Sequence, residues 1–192
     1  MPDSSSKKYD EIAPFPTVIL VSPQDEVLGV CEKIKAHEQG LLHRAFSVFI
    51  LRTINGKIEA LLQQRALNKY HSGGLWTNTC CSHPQPEKDL KEEAKRCLEY
   101  EVGLKNIDLL DLGFFTYHAS FENALSEHEL DHVFVGFYEG NQTIVHNTHE
   151  IMDLKWISIE KIELDLKLTS LKYTAWFKGA FDLLFPYLQK IR

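Results

Sequence analysis

The feature that most constrains the fold is a pair of alternating apolar segments joined by Asn55-Gly56. The segments AFSVFILRT and KIEALLQQ flank this dipeptide within residues 45–64. Asn and Gly both tolerate the positive φ that a tight two-residue turn requires, so the sequence predicts a β-hairpin here. A β-sheet is therefore part of the fold.

Weaker patterns surround the hairpin and predict the remaining elements. We expect strands at Thr17–Ser22, Trp76–Cys81, about 109–118, about 130–138 and near 154–158. A helix is expected near 87–102, with Gly103 at its C-cap, and a last helix over Ser170–Gln189. No repeat and no linker interrupts this order. The pattern indicates an α/β (α+β) chain whose strands are mostly mixed or antiparallel.

Length and charge limit the possible partners and the compartment. The polar composition of residues 1–12 predicts a disordered tail, and the length of 192 residues predicts a single domain over 13–192. A net charge of −6 argues against nucleic acid as a partner. No apolar run approaches the ~20 residues of a membrane span. Because the four cysteines show no repeated spacing and no signal-type segment precedes them, we expect free thiols and a cytoplasmic location.

The segment Trp76-Thr77-Asn78-Thr79-Cys80-Cys81-Ser82-His83-Pro84 carries the strongest chemical signal. In an extended segment, Cys81 and His83 point to the same face and Cys80 points away from it. The thiol and the imidazole could therefore act on one substrate or hold one metal. Taken alone, Cys81 is better explained as a small buried apolar residue.

Further histidines and carboxylates could join such a site. His37 and His43 flank the loop HEQGLLH, and Glu127 and Glu129 alternate onto one strand face in SEHELDHVF. Together with His83 they form a nitrogen and oxygen ligand set that suits Mn²⁺, Zn²⁺ or Fe²⁺. Spacing alone does not assemble them, and each is also compatible with a hydrogen-bonded or solvated surface position.

Five other residues have two interpretations on sequence alone. Glu101 lies on the apolar stripe of the predicted helix, where a carboxylate needs a cation or hydrogen-bond donors. Trp176 lies in a strongly apolar segment and is by default a core residue. Three basic residues are by default solvated surface: Lys33, Arg65 and Lys69.

Four segments in order decide between these interpretations. LLHRAFSVF, LLQQRALNKYHSGG, WTNTCCSHP and SEHELDHVF resemble type I isopentenyl-diphosphate isomerase, and the likeness runs from about residue 17 to residue 180. It implies a Nudix-like mixed sheet sandwiched between helices. It also implies an enzyme of isoprenoid biosynthesis that interconverts isopentenyl and dimethylallyl diphosphate through a tertiary carbocation.

The resemblance also implies the roles of individual residues. Cys81 and Glu129 would be the acid/base pair on opposite faces of the substrate, and Tyr117 would assist the carboxylate. Glu101 would hold a Mg²⁺ ion shared with the diphosphate. A divalent metal (Mn²⁺, Zn²⁺ or Mg²⁺) would be held by five residues of this chain: His37, His43, His83, Glu127 and Glu129.

The expected substrate contacts follow from the same likeness, with one departure. Trp176 would lie over the hydrocarbon tail. Cys97 occupies a position where the family usually has a basic residue, and whether the adjacent Arg96 replaces it stays open. The diphosphate would be bound by Lys33, Arg65 and Lys69.

Two alternatives remain. A Nudix hydrolase needs a cluster of glutamates, of which only Glu101 survives here. The other glutamate positions carry Lys88, Cys97 and Tyr100, and Ser82 replaces the glycine of the motif. A binding module without turnover would not need both Cys81 and Glu129. We expect a small-molecule diphosphate as the partner, and a monomer or weak homodimer.

Overall fold

The computed structural model describes residues 16–121 and 125–191. Within these ranges the chain forms nine strands and four helices. The strands are β1 Thr17–Val21, β2 Val27–Glu32, β3 His43–Ile54, β4 Lys57–Arg65, β5 Trp76–Thr77, β6 Cys80–Ser82, β7 Leu110–Ser120, β8 Ser126–Phe137 and β9 Ile151–Ser158. The helices are α1 Lys33–Gln39, α2 Leu90–Val102, α3 Ile159–Leu168 and α4 Phe177–Ile191.

The predicted hairpin is confirmed and lies at the centre of the sheet. β3 and β4 pair antiparallel, with Ile50 opposite Leu61. The turn residues Asn55 and Gly56 have φ of 51° and 74°, as an Asn-Gly turn requires. β3 also pairs antiparallel with β1 and β6 and parallel with β8. The sheet is therefore mixed, as predicted.

Alternation along β3 gives the sheet two apolar faces. Phe49 on one face packs with Phe177 and Leu184 of α4. Val48 on the other face packs with Leu98 of α2. Because successive strand side chains point to opposite faces, helices are needed on both sides. The predicted sheet sandwiched between helices is thereby confirmed.

The continuous strand predicted over Trp76–Cys81 is wrong, because a bend separates β5 from β6. The buried Thr79 hydroxyl donates to the Leu61 carbonyl at 2.6 Å and accepts from the Ile50 amide at 2.8 Å. The Asn78 amide donates to the Cys80 carbonyl at 2.6 Å. These side chains take hydrogen bonds that a regular ladder would use, which breaks the strand.

The last helix also differs from the prediction over Ser170–Gln189. A single 3-10 turn covers Ser170–Lys172, and α4 begins only at Phe177. Between them, the Thr174 amide donates to the Trp76 carbonyl at 3.0 Å, which ties this segment to β5 instead of a helix. Trp176 therefore precedes α4.

Helix α2 matches the prediction at its end and starts slightly later. Asp89 caps it by accepting from the Glu92 amide at 3.0 Å, and Gly103 has a left-handed φ of 77°. Strand β2 and helices α1 and α3 were not predicted. The tail expected at 1–12 lies outside the described residues, so that division of the chain stays a prediction. Among the described helices, none has the length and apolar character needed to cross a bilayer.

Candidate active site

The site lies where one face of β3 changes from apolar to polar. Towards its start, the face that carries Phe49 continues through Ser47 to His43. Ser47 pairs with Cys81 of β6, and His43 pairs with Glu129 of β8. β3 thus separates the strands that carry Cys81 and Glu129, and both side chains line one cavity of about 410 Å³.

The cavity gathers most of the residues that the sequence singled out. His37 and His43 are not among its lining residues and belong to the buried cluster described next. The predicted residues that line it are Lys33, Arg65, Lys69, Cys81, His83, Glu101, Tyr117, Glu127, Glu129 and Trp176.

A group of four side chains at one end of the cavity has the chemistry of a metal site. His37, His43, His83 and Glu129 each offer a ligand atom, and these atoms lie within 4.8 Å of one another. Both ring nitrogens of His37 and Nε2 of His43 are buried without a hydrogen-bond partner. Buried polar atoms rarely lack partners, so these nitrogens fit a divalent cation as their missing partner.

The electrostatics of the histidines agree with that fit. Burial lowers the pKa of His83 to about 3 and that of His37 to about 4. These two imidazoles are therefore neutral near pH 7 and have a lone pair available for a metal, whereas Glu129 outweighs burial at His43 and raises its pKa. His43 Nδ1 lies 2.8 Å from the Leu41 carbonyl and donates to it, which directs Nε2 towards the cluster. Three nitrogens and one carboxylate suit Zn²⁺ or Mn²⁺.

Glu127 lies outside that group of four. Its Oε1 is 2.7 Å from His71 Nε2. The Tyr117 hydroxyl lies 2.8 Å from Glu127 Oε2 and 2.6 Å from Glu129 Oε2, and its single proton can be donated to only one of the two at a time. Tyr117 therefore joins the two carboxylates. Burial and the nearby Glu129 raise the pKa of Glu127.

The two adjacent thiols have different surroundings. Cys80 is fully buried among Ala94 and Leu98, which confirms the prediction that it faces away from the cavity. Cys81 faces the cavity, where its Sγ lies 4.0 Å from Arg65 Nη1. Burial raises the pKa of the Cys81 thiol well above its usual value, although Arg65 opposes the change. The thiol thus keeps its proton near neutral pH.

Glu101 lines the cavity from helix α2. Its carboxylate accepts from Gln63 Nε2 at 2.8 Å, and Cys97 Sγ lies 3.5 Å from its other oxygen. Burial and the charge of Glu150 raise the pKa of Glu101 to about 7. Few donors compensate this carboxylate, so a bound cation would stabilise it.

Three basic residues also border the cavity. Arg65 is 8% exposed, and its Nε is buried without a hydrogen-bond partner. Lys69 pairs with Glu150, and Lys33 lies over the Tyr70 ring at 5.2 Å. Such a set suits an anion with several oxygens.

Cys97, which stands where the resemblance leads one to expect a basic residue, also borders the cavity. Both Arg96 and Cys97 line it. Glu93 holds the Arg96 guanidinium through Nε at 3.0 Å and Nη2 at 2.7 Å. A basic group is therefore present beside the expected position, although it comes from the neighbouring residue.

Trp176 forms part of the apolar wall. Its Nε1 donates to Asn78 Oδ1 at 3.1 Å, which fixes the indole against the bend between β5 and β6. The ring centroid lies 6.2 Å from that of Tyr117, and Arg65 Cζ lies 5.3 Å from it. The aromatic surface is thus placed close to the proposed acid/base groups.

Sequence reasoning missed several residues that contact the site directly, among them Gln63 and His71. Gln63 hydrogen-bonds Glu101, and His71 hydrogen-bonds Glu127. Gln63 gave no signal beyond its place in the hairpin. His71 stands in the glycine-containing loop between the basic residues and Trp76, and a histidine in that loop was the available clue.

Known proteins resemble this chain over most of its length. A family model described as NUDIX domain matches residues 41–177. The isopentenyl-diphosphate Delta-isomerase of Photobacterium profundum is 46% identical over 162 residues, which cover 83% of this chain and 89% of that protein. The protein of the same name from Pectobacterium atrosepticum is 41% identical over 179 residues, covering 93% and 97%.

Solved structures share the fold at lower identity. A Deinococcus radiodurans protein has a TM-score of 0.67 at 15% identity and covers 88% of this chain and 99% of its own. A MutT protein from Methanosarcina mazei has a TM-score of 0.58 at 20% identity, covering 73% and 91%. At these identities the likeness concerns the fold alone.

Proposed function

The chain belongs to the isopentenyl-diphosphate Delta-isomerase family of NUDIX-domain proteins, and on that premise we propose how its cavity performs the reaction. The resemblance found in the motifs is confirmed. The chain is an isomerase of isoprenoid biosynthesis that interconverts isopentenyl diphosphate and dimethylallyl diphosphate. The residue roles below are proposals, supported by the geometry of the cavity.

Cys81 and Glu129 form the proposed acid/base pair. One group adds a proton to one end of the allylic system, which creates a tertiary carbocation. The other group removes a proton from the opposite end. The two groups hold opposite protonation states, as this exchange requires. Burial keeps Cys81 as a thiol. Burial also opposes the ionisation of Glu129, but the neighbouring His83 and His43 outweigh it and hold the pKa of Glu129 well below its usual value.

Tyr117 is the proposed assistant to Glu129. Its hydroxyl lies 2.6 Å from Glu129 Oε2, so it can stabilise the carboxylate by donating a hydrogen bond. The same hydroxyl contacts Glu127, which limits rotation of both side chains. The acid/base group is thereby held in one orientation as its protonation state changes.

Basic residues of the cavity anchor the diphosphate. Lys33, Arg65 and Lys69 supply the positive charge, and the unpartnered Nε of Arg65 supports its role. Arg96 adds a further cation in place of the basic residue absent at Cys97. Glu101 would share Mg²⁺ with the diphosphate, since its raised pKa marks an uncompensated carboxyl.

Trp176 is the residue proposed to protect the cation. An indole face near a carbocation contributes about 2 kcal/mol in a desolvated site. Water would capture the cation as an alcohol, so the cavity has to exclude it. Trp176 is 3% exposed and suits both purposes.

The histidine cluster would hold one divalent metal, Mn²⁺, Zn²⁺ or Mg²⁺. His37, His43, His83 and Glu129 supply four ligands, and Glu127 would be the fifth. When bound, the metal supplies a positive charge that orients Glu129 and tunes its acidity. The three imidazoles would also fix the position of Glu129 relative to Cys81.

Isomerisation in D₂O tests the assignment, with two adjacent thiols as a matched pair. Purified protein with isopentenyl diphosphate and Mg²⁺ should form deuterated dimethylallyl diphosphate. Cys81→Ala should lose turnover and still bind the diphosphate, whereas Cys80→Ala should stay active. Lack of both product and deuterium uptake refutes the isomerase function. Equal loss in the two variants refutes the choice of thiol.

The same assay separates the alternatives. Release of phosphate would favour a hydrolase, for which the chain retains only Glu101 of the expected acids. We also propose that the enzyme works in the cytoplasm, supported by its four free cysteines. The expected monomer or weak homodimer stays a prediction.

A further inference from the structure

His71 is a buried histidine of the site for which the proposed reaction has no role. It is 7% exposed and lines the cavity. Its ring stacks on Phe121 with centroids 4.6 Å apart and meets the edge of Tyr70 at 4.4 Å. The ring is therefore clamped on two sides, and its nitrogens have fixed directions.

The hydrogen bonds of His71 define what it offers to its neighbours. Nδ1 lies 3.2 Å from the Ser72 hydroxyl, and Nε2 lies 2.7 Å from Glu127 Oε1. A carboxylate only accepts, so Nε2 carries the proton and the Ser72 hydroxyl donates to Nδ1. These two contacts favour the tautomer of His71 with the proton on Nε2.

Glu127 is consequently held at both of its oxygens. His71 binds Oε1, and the Tyr117 hydroxyl binds Oε2. Carboxylates that bind metals are commonly oriented by such outer hydrogen bonds, whose loss typically costs about 10- to 100-fold in metal affinity or activity. Without His71, Glu127 could rotate about its side-chain bonds, because Tyr117 alone restrains it.

We propose that His71 is a positioning residue that orients Glu127 towards the metal cluster through its Nε2–H. This inference rests on the proposed function in one respect, namely that Glu127 is the fifth ligand. His71 itself binds neither the metal nor the substrate. Its effect is on the carboxylate, and through Tyr117 on the orientation of Glu129.

Two substitutions separate the hydrogen bond from the packing of the ring. His71→Phe keeps a ring against Phe121 and removes the donor. His71→Gln restores an amide donor near the position of Nε2. His118→Phe, at an exposed position on β7, is the matched control for loss of a histidine. Affinity for Zn²⁺ and Mn²⁺ is measured on metal-stripped protein by competition with a chromogenic chelator, and kcat and KM are measured separately.

We expect His71→Phe to bind metal about 10- to 100-fold more weakly and to lose kcat. KM should change by less than about threefold, because other residues bind the diphosphate. His71→Gln should recover most of both losses, and His118→Phe should match the parent. Metal affinity of His71→Phe equal to the parent would overturn the inference, as would equal losses in the Phe and Gln variants.

The variant Glu127→Gln distinguishes failure of the role proposed for His71 from failure of Glu127 as a metal ligand. If this variant loses metal affinity and His71→Phe does not, the role of His71 is refuted while the five-ligand site stands. If Glu127→Gln keeps full metal affinity, Glu127 is not a ligand and both statements fall. Isomerase activity of the parent protein is a separate readout, so the metal titrations remain decisive whichever reaction is observed.

Discussion

Replacement of Glu101 by glutamine removes a buried acid whose ionisation opposes folding. Glu101 is 8% exposed, and Gln63 is its amide donor. In the parent protein, burial and the charge of Glu150 raise its pKa from 4.5 to about 7. An amide in this position has no charge to desolvate and can still accept from Gln63. Glu101→Gln should therefore stabilise the metal-free protein at alkaline pH.

The size and the pH window of the effect follow from that shift. An acid with a raised pKa in the folded state costs nothing while it is protonated in both states, below about pH 4. The cost grows as the pH rises towards 7 and is constant above it. A rise from 4.5 to about 7 corresponds to about 3 kcal/mol at roughly 1.4 kcal/mol per pKa unit. Glu101→Gln should match the parent near pH 4.5 and exceed it by up to about 3 kcal/mol at pH 8.

Urea unfolding with a chelator present, at several pH values, measures this difference. Any loss of metal from the histidine cluster affects both proteins alike and cancels in the comparison. Glu99→Gln, an exposed position on the same helix, is the control. The same substitution should abolish catalysis, since Glu101 is the proposed Mg²⁺ ligand. Stability and activity should therefore change in opposite directions.

Two results would refute the reasoning on Glu101. One is a free-energy difference between variant and parent that does not grow between pH 4.5 and pH 8. The other is an equal gain in Glu99→Gln, which would show a general charge effect. Full activity of Glu101→Gln at saturating Mg²⁺ would leave the stability argument intact and remove the proposed role in metal binding.

Two further predictions concern the substrate contacts. Arg65→Gln should raise KM by roughly 10- to 100-fold, because a charge-assisted hydrogen bond contributes about 1.5–3 kcal/mol; an unchanged KM in steady-state kinetics would contradict this. Trp176→Phe should lower kcat by about tenfold with little change in KM, because the phenyl ring has a weaker electrostatic attraction for the cation than indole. The substitution removes the hydrogen bond from the indole to Asn78 Oδ1, but the Thr77 hydroxyl, 2.8 Å from the same oxygen, still donates to it. An unchanged kcat would refute the role of the indole.

Local patterns were sufficient for several parts of the fold. The Asn55-Gly56 turn and the end of α2 at Gly103 depend on residues next to each other in the chain, and both were predicted correctly. The alternation that turns Cys81 towards the cavity and Cys80 into the core is equally local. By contrast, the bend at Asn78 depends on side-chain bonds to distant backbone, and the predicted continuous strand was wrong.

The sequence by itself determined which residue types are available for the chemistry, and the four motifs identified the family. It could not determine which residues meet, since His43 and Glu129 become neighbours only through the parallel pairing of β3 with β8. That pairing joins segments far apart in the chain and depends on burial of the whole sheet. The contact between His71 and Glu127 likewise joins residues that are far apart in the chain. Tertiary structure alone decided these contacts, because hydrogen bonds between distant residues leave no periodic pattern in the sequence.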